Sequence, residues 1–107
     1  MQLTERQKKH LRALAHNAKP VVTIADKGLS ENVIKELESA LKFHELIKVR
    51  VRVGDRDERD ALLAELCETC RCFLLRRVGH VATLFRRNAQ KPKIALPGGG
   101  RDMPDQT

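Results

Sequence analysis

Lys48, Arg50 and Arg52 alternate with Ile47, Val49, Val51 and Val53, the pattern of a strand that buries one side and holds three cations about 7 Å apart on the other. That spacing is close to one phosphate step along a nucleic-acid strand, so the chemistry on offer is the holding of a polyanion backbone. A second cluster is Ala25-Asp26-Lys27-Gly28, followed by Leu29-Ser30. It is turn chemistry, with a glycine free to take positive φ and a serine able to cap the first free amides of a helix. Those amides and the helix dipole favour an anion, and Lys27 adds its charge beside them. Taken alone, this is an ordinary connection between a strand and a helix with an exposed lysine. The charge distribution of the whole chain is what weights it toward function.

Other reactive residues give less. Cys67, Cys70 and Cys72, with His80 further on, come close to zinc arithmetic, but there is no second CxxC pair. Cys67 and Cys70 keep helical spacing with Leu63 and Leu66, so the three read as buried structural thiols in a reducing compartment, and no metal or cofactor is expected. No nucleophile and base stand at a recognisable spacing. His16 and His44 fall near helix C-termini, where imidazole can cap carbonyls. No catalysis and no small-molecule substrate are expected.

The elements that position these residues follow from period and punctuation. Thr4-Glu5-Arg6-Gln7 fits a capping box, and Gln7, Leu11, Leu14, Ala15 and Ala18 line one side of a basic first helix that ends before Lys19-Pro20. Pro20 opens a strand through Val21 to Ile24. Glu31 to His44 is the second helix, with Val33, Ile34, Leu37, Ala40, Leu41 and His44 as its apolar side. Glu45 separates it from the strand Leu46 to Val53. Gly54 closes that strand, and Asp55 with Glu58 opens a third helix carrying Leu62, Leu63, Leu66, Cys67 and Cys70. Cys72 to Val78 and Val81 to Arg86 form a hairpin around Gly79-His80. The order αβαβαββ makes a two-layer α/β sandwich on a four-stranded mixed sheet. Its first two strands form a parallel unit that places the turn at Ala25 to Gly28 on the carboxyl edge. Residues 1–97 form one domain, in which Ile94-Ala95-Leu96 docks on the body. Residues 98–107, opening with three glycines, are expected to form a flexible tail.

The 107 residues carry a net charge of +7, which points to a polyanionic partner, nucleic acid before membrane. The charge is segregated. Met1 to Lys19 holds five basic residues against one acidic, and Arg71 to Lys93 holds seven against none, whereas Asp55 to Glu68 holds six acidic against two basic. The third helix should therefore face away from the partner, with the first helix, the Lys48-Arg50-Arg52 ladder and the hairpin offered to it, Arg86 and Arg87 included. Three phenylalanines, without Tyr or Trp, cannot form a stacking platform, so phosphate and shape contacts should dominate. Burying three unpaired cations under helices on both sheet faces would be prohibitive, so the ladder's face must be partly open or its charges paired. No apolar run approaches a membrane span and the N-terminus lacks the apolar core of a secretory signal, so a cytoplasmic location is expected.

Leu11-Arg12-Ala13-Leu14-Ala15-His16, Lys19-Pro20-Val21-Val22 leading to Lys27-Gly28-Leu29-Ser30, His44-Glu45-Leu46-Ile47-Lys48-Val49, Gly79 followed by Leu84-Phe85-Arg86, and Lys93-Ile94-Ala95-Leu96-Pro97 together resemble the CRM (chloroplast RNA splicing and ribosome maturation) domain. The bacterial stand-alone, YhbY-like form is the best match. The resemblance implies an RNA-binding domain with a fold like the C-terminal domain of translation initiation factor three. For the bacterial form it implies association with ribosomal RNA in precursors of the large ribosomal subunit. The family's loop after the first strand carries a GxxG motif likened to that of KH domains. Here it reads Ala25-Asp26-Lys27-Gly28, so Lys27 and Gly28 carry over and a small alanine takes the place of the first glycine. The competing reading is a protein-interaction adaptor that docks through its acidic third helix.

Overall fold

A computed structural model of the chain describes residues 2–97. The tail expected over residues 98–107 lies outside the described residues. The elements are α1 (Glu5–Ala15), β1 (Pro20–Ile24), α2 (Glu31–His44), β2 (Leu46–Val51), α3 (Arg56–Cys70), β3 (Phe73–Val78) and β4 (Val81–Phe85), in the expected order αβαβαββ. Local chemistry sets the helix starts. Capping boxes open α1 at Thr4 and Gln7 and α3 at Asp55 and Glu58, and the Ser30 hydroxyl accepts from the Val33 amide at the start of α2.

The strands lie in the order β1-β2-β4-β3, with β1 parallel to β2 and both β2–β4 and β3–β4 antiparallel. On one sheet face α2 and α3 pack Leu37, Leu41, Leu63 and Leu66 over Val22, Ile24, Ile47, Val49, Val51, Ala82 and Leu84. This is the main core, the two layers that the sequence periodicity implies. On the reverse face α1 covers only one end, where Leu3 and Leu11 meet Leu75, Phe85 and Leu96. No helix in the described residues is long and apolar enough to cross a membrane.

Several boundaries and faces differ from the sequence expectation. β2 stops at Val51 rather than Val53, because β1 ends at Ile24 and β4 begins at Val81, leaving Val53 no neighbour to pair with. Arg52 makes the last ladder bond, from its amide to the Ile24 carbonyl at 2.7 Å. Leu14 is 51 % exposed: the stripe that α1 buries runs Gln7, Leu11, Ala15, and a helix covering half a sheet face has no second row to bury. His44 is likewise exposed, at the end of α2.

The residue between α2 and β2 is no mere spacer. Glu45 is completely buried with φ of 65°, and its carboxylate accepts from the backbone amides of Asn88 at 2.6 Å, Lys93 at 2.8 Å and Ile94 at 2.9 Å. The Arg87 guanidinium stands 3.6 Å away. The segment after β4, which has no periodic pattern of its own, is therefore folded around one buried carboxylate, and Leu96 is delivered to α1.

Cys70 is buried and Cys67 and Cys72 are half-buried, so the three sit where α3 meets the sheet. Among the described residues no group of three or more His, Cys, Asp or Glu side chains could hold a metal ion. The Cys72 thiol donates toward Cys67 Sγ at 3.9 Å. This hydrogen bond lowers the pKa of Cys67 and raises that of Cys72, while burial first and the nearby Glu38 second push Cys70 up to about 11. At pH 8 an alkylating reagent should therefore label Cys67 ahead of both Cys70 and Cys72, as read by mass spectrometry of the folded protein. Early labelling of Cys70 would contradict this packing.

Candidate nucleic-acid interface

Alternation along β2 sends Ile47, Val49 and Val51 to the main core and Leu46, Lys48 and Arg50 to the reverse face. Because α1 covers only the end near Leu46 and Phe85, Arg50 is exposed and Lys48 half-exposed. The Lys48 ammonium donates to the His16 carbonyl at 3.1 Å, which satisfies an orphan carbonyl at the end of α1 and fixes the lysine.

Two further cations reach this face by routes that strand alternation does not reveal. In β3 the pairing jumps from Leu74↔Leu84 to Arg76↔Thr83, a bulge with Leu75 as the extra residue. Phe73 and Leu75 both pack under α1, so simple alternation would put Arg77 beside them. The bulge instead turns Arg76 to the reverse face and sends Arg77 toward α3, where it pairs with Asp60. Arg12 arrives from the last turn of α1.

The result is a cleft of about 450 Å³ walled by Arg12, His16, Lys48, Arg50 and Arg76, with Val78, Val81, Ala18 and Pro20 as its apolar part. Among the described residues no acidic side chain lines it. The side chains of Arg12, Arg50 and Arg76 make no hydrogen bond or ion pair among the described residues. The basic surface continues along α1 past Lys9 and Asn17. Three free guanidinium groups gathered from α1, β2 and β3 form a concave positive surface, which concentrates an approaching polyanion and offers planar forks for phosphate.

The second predicted cluster stands at the carboxyl edge. The Gly28 amide donates to the Ala25 carbonyl at 2.8 Å, closing a tight turn in which Gly28 takes φ of 62°. A Cβ there would meet only Leu62 Cδ1 at 3.9 Å, so the glycine is required by backbone conformation rather than by space. Ala25 is absent from the positive-φ residues and fits the first GxxG position without strain. Ala25, Asp26 and Lys27 are exposed, and Ser30 caps α2. Arg52, exposed and bonded through its amide to Ile24, belongs to this edge, so the expected three-residue ladder divides between groove and turn.

Arg86 and Arg87 do not join this face, which corrects the expectation that they share it with the ladder. Arg86 reaches under α2 and α3, with Nη1 on Glu38 Oε1 at 2.7 Å and on the Cys70 carbonyl at 3.0 Å. Arg87 is nearly buried beside Glu45 and donates to the Ile94 carbonyl. The chain leaves the sheet after Phe85, so strand parity no longer assigns these residues a side. The missed site residues are Arg12, His16 and Arg76. The sequence signals for them are the basic excess of the first helix and of the hairpin and, for Arg12 and His16, their place in the family-like stretch Leu11 to His16.

A small α/β domain with an acidic helix behind its sheet and an arginine-walled cleft in front is built as a polyanion-binding module. A family model described as the CRS1 / YhbY (CRM) domain matches residues 3–86, and the chain belongs to that family. It is 45 % identical over 93 residues to a Pseudomonas aeruginosa protein named a probable RNA-binding protein, covering 87 % of this chain and 89 % of that one. It is 37 % identical over 95 residues to a Haemophilus influenzae protein named RNA-binding protein, covering 89 % and 95 %. The solution structure of a hypothetical Staphylococcus aureus protein, described as a candidate RNA-binding protein, matches with a TM-score of 0.77 and 36 % identity over 90 % of this chain and 100 % of that one.

Proposed function

We propose that this chain is a non-catalytic, cytoplasmic RNA-binding protein that holds ribosomal RNA in precursors of the large ribosomal subunit. The observation that carries the RNA reading is the cleft where Arg12, Arg50 and Arg76 converge with Lys48 and His16 and no acidic side chain among the described residues intervenes. Charged side chains without internal partners are strongly hydrated, and their convergence on one concavity repels itself unless a polyanion neutralises it. Relatives named as RNA-binding proteins support the same partner, and the ribosomal part rests on the family resemblance. Sedimentation of the tagged chain through cell extract tests it. Co-migration with large-subunit precursors that is lost after nuclease treatment supports RNA as the tether. Association that survives nuclease and is lost on reversing the charge of α3 would replace it with the adaptor reading.

The turn is expected to contribute as a second contact. Lys27 is exposed beside the capped start of α2, so Lys27→Glu should weaken RNA binding roughly five- to tenfold, about 1 to 1.4 kcal/mol, with no loss of thermal stability. A folded variant with unchanged affinity would remove the turn from the interface.

A further inference from the structure

The cleft is more than a phosphate cradle. Val78 is 66 % exposed and pairs across the hairpin with Val81, so an apolar surface lies open between four Lys and Arg side chains. A binder of phosphates alone has no use for it. A ligand that fits both parts has a flat, weakly polar body and an anionic attachment, as a nucleotide has.

We propose that the cleft takes one unpaired nucleotide of RNA, its base laid on Val78 and Val81 and its phosphates on the surrounding arginines. This rests on the RNA-binding reading above and goes beyond it. The volume of about 450 Å³ lies within the range of small-molecule sites, about 300 to 1,000 Å³. A paired base is stacked inside the duplex, where a sheet face cannot reach it, whereas a bulged or looped base can be splayed out. Among the described residues no Phe, Tyr or Trp lines the cleft, but the His16 imidazole does, and guanidinium planes stack on bases as aromatic rings do. The Arg12, Arg50 and Arg76 side chains have no partner among the described residues to hold them away. Lys48 is tied to the His16 carbonyl, so one wall is preset. Val78 and Val81 offer no hydrogen-bond pattern to a base edge, and Thr83 and His16 supply the uncharged polar groups of the lining, so the site distinguishes unpaired from paired more than it reads base identity.

Three RNA hairpins test this by direct titration: one fully paired in its stem, one with a single bulged nucleotide, and the same bulge made abasic. The native chain should bind the bulged hairpin about tenfold tighter than the other two, the scale of one stacked base. Val78→Ser, at an exposed position, should bring the bulged hairpin down to the affinity of its abasic counterpart. Equal binding of all three hairpins, weakened together when the arginines are neutralised, would overturn the nucleotide site and leave RNA binding standing. Binding to none of them would overturn both.

Discussion

Replacing Glu45 with Gln should lower the stability of the fold by about 3 kcal/mol, within the range of 3 to 5 kcal/mol for breaking a buried ion pair from one side. Glu45 is fully buried, and its carboxylate receives three backbone amides between Asn88 and Ile94. The substitution removes the charge opposite the Arg87 guanidinium, which is itself only 9 % exposed. It also turns an amide nitrogen toward donors that need an acceptor. At about 4 to 8 °C per kcal/mol for a domain of this size, the melting temperature should fall by roughly 12 to 24 °C. Amide exchange should speed up first over Asn88 to Ile94. A melting temperature within about 3 °C of the native value would show that the carboxylate does not organise this segment.

The second large effect is on binding. Changing Arg12, Arg50 and Arg76 together to Gln should weaken RNA binding about a hundredfold, taking about 1 kcal/mol for each charge-assisted contact at an exposed site. The slope of log affinity against log salt should flatten by about 2 to 3, at roughly 0.7 to 0.9 for each phosphate released. Stability should change little, because none of the three has a partner among the described residues. Charge reversal on the other side, at Asp57 and Glu68 of α3, should not weaken binding. Asp60 is a poor choice there because it holds Arg77. A triple variant that keeps the native salt slope would mean that phosphate is held elsewhere.

The element order was legible because caps, period and punctuation agree along most of the chain, from the Thr4 and Asp55 capping boxes to the Gly79-His80 turn. Half of the groove was legible for the same reason: alternation alone places Lys48 and Arg50 opposite Ile47 and Val49. The other half required topology. Arg12 reaches the cleft only because α1 stops partway across the reverse face, and Arg76 only because the Leu75 bulge reverses the parity of β3. A one-residue slip of that kind leaves no mark in a run such as Phe73-Leu74-Leu75-Arg76-Arg77. Glu45 was illegible for another reason. A lone glutamate between a helix and a strand normally points to water, and the partners that make this one structural lie more than forty residues later, in a segment with no pattern. Arg86 was misassigned on the same ground, since its partners Glu38 and Cys70 come from α2 and α3.

The face on which RNA lies is tested most directly by following the backbone amide resonances of the chain during titration with a structured RNA. The account predicts that the largest shifts and broadening fall on Arg12 to Ala18, Lys48 to Arg50 and Arg76 to Val81, with a smaller set at Ala25 to Gly28, while Arg56 to Cys70 stays unperturbed. Perturbation concentrated on α3, with the groove residues unmoved, would contradict it.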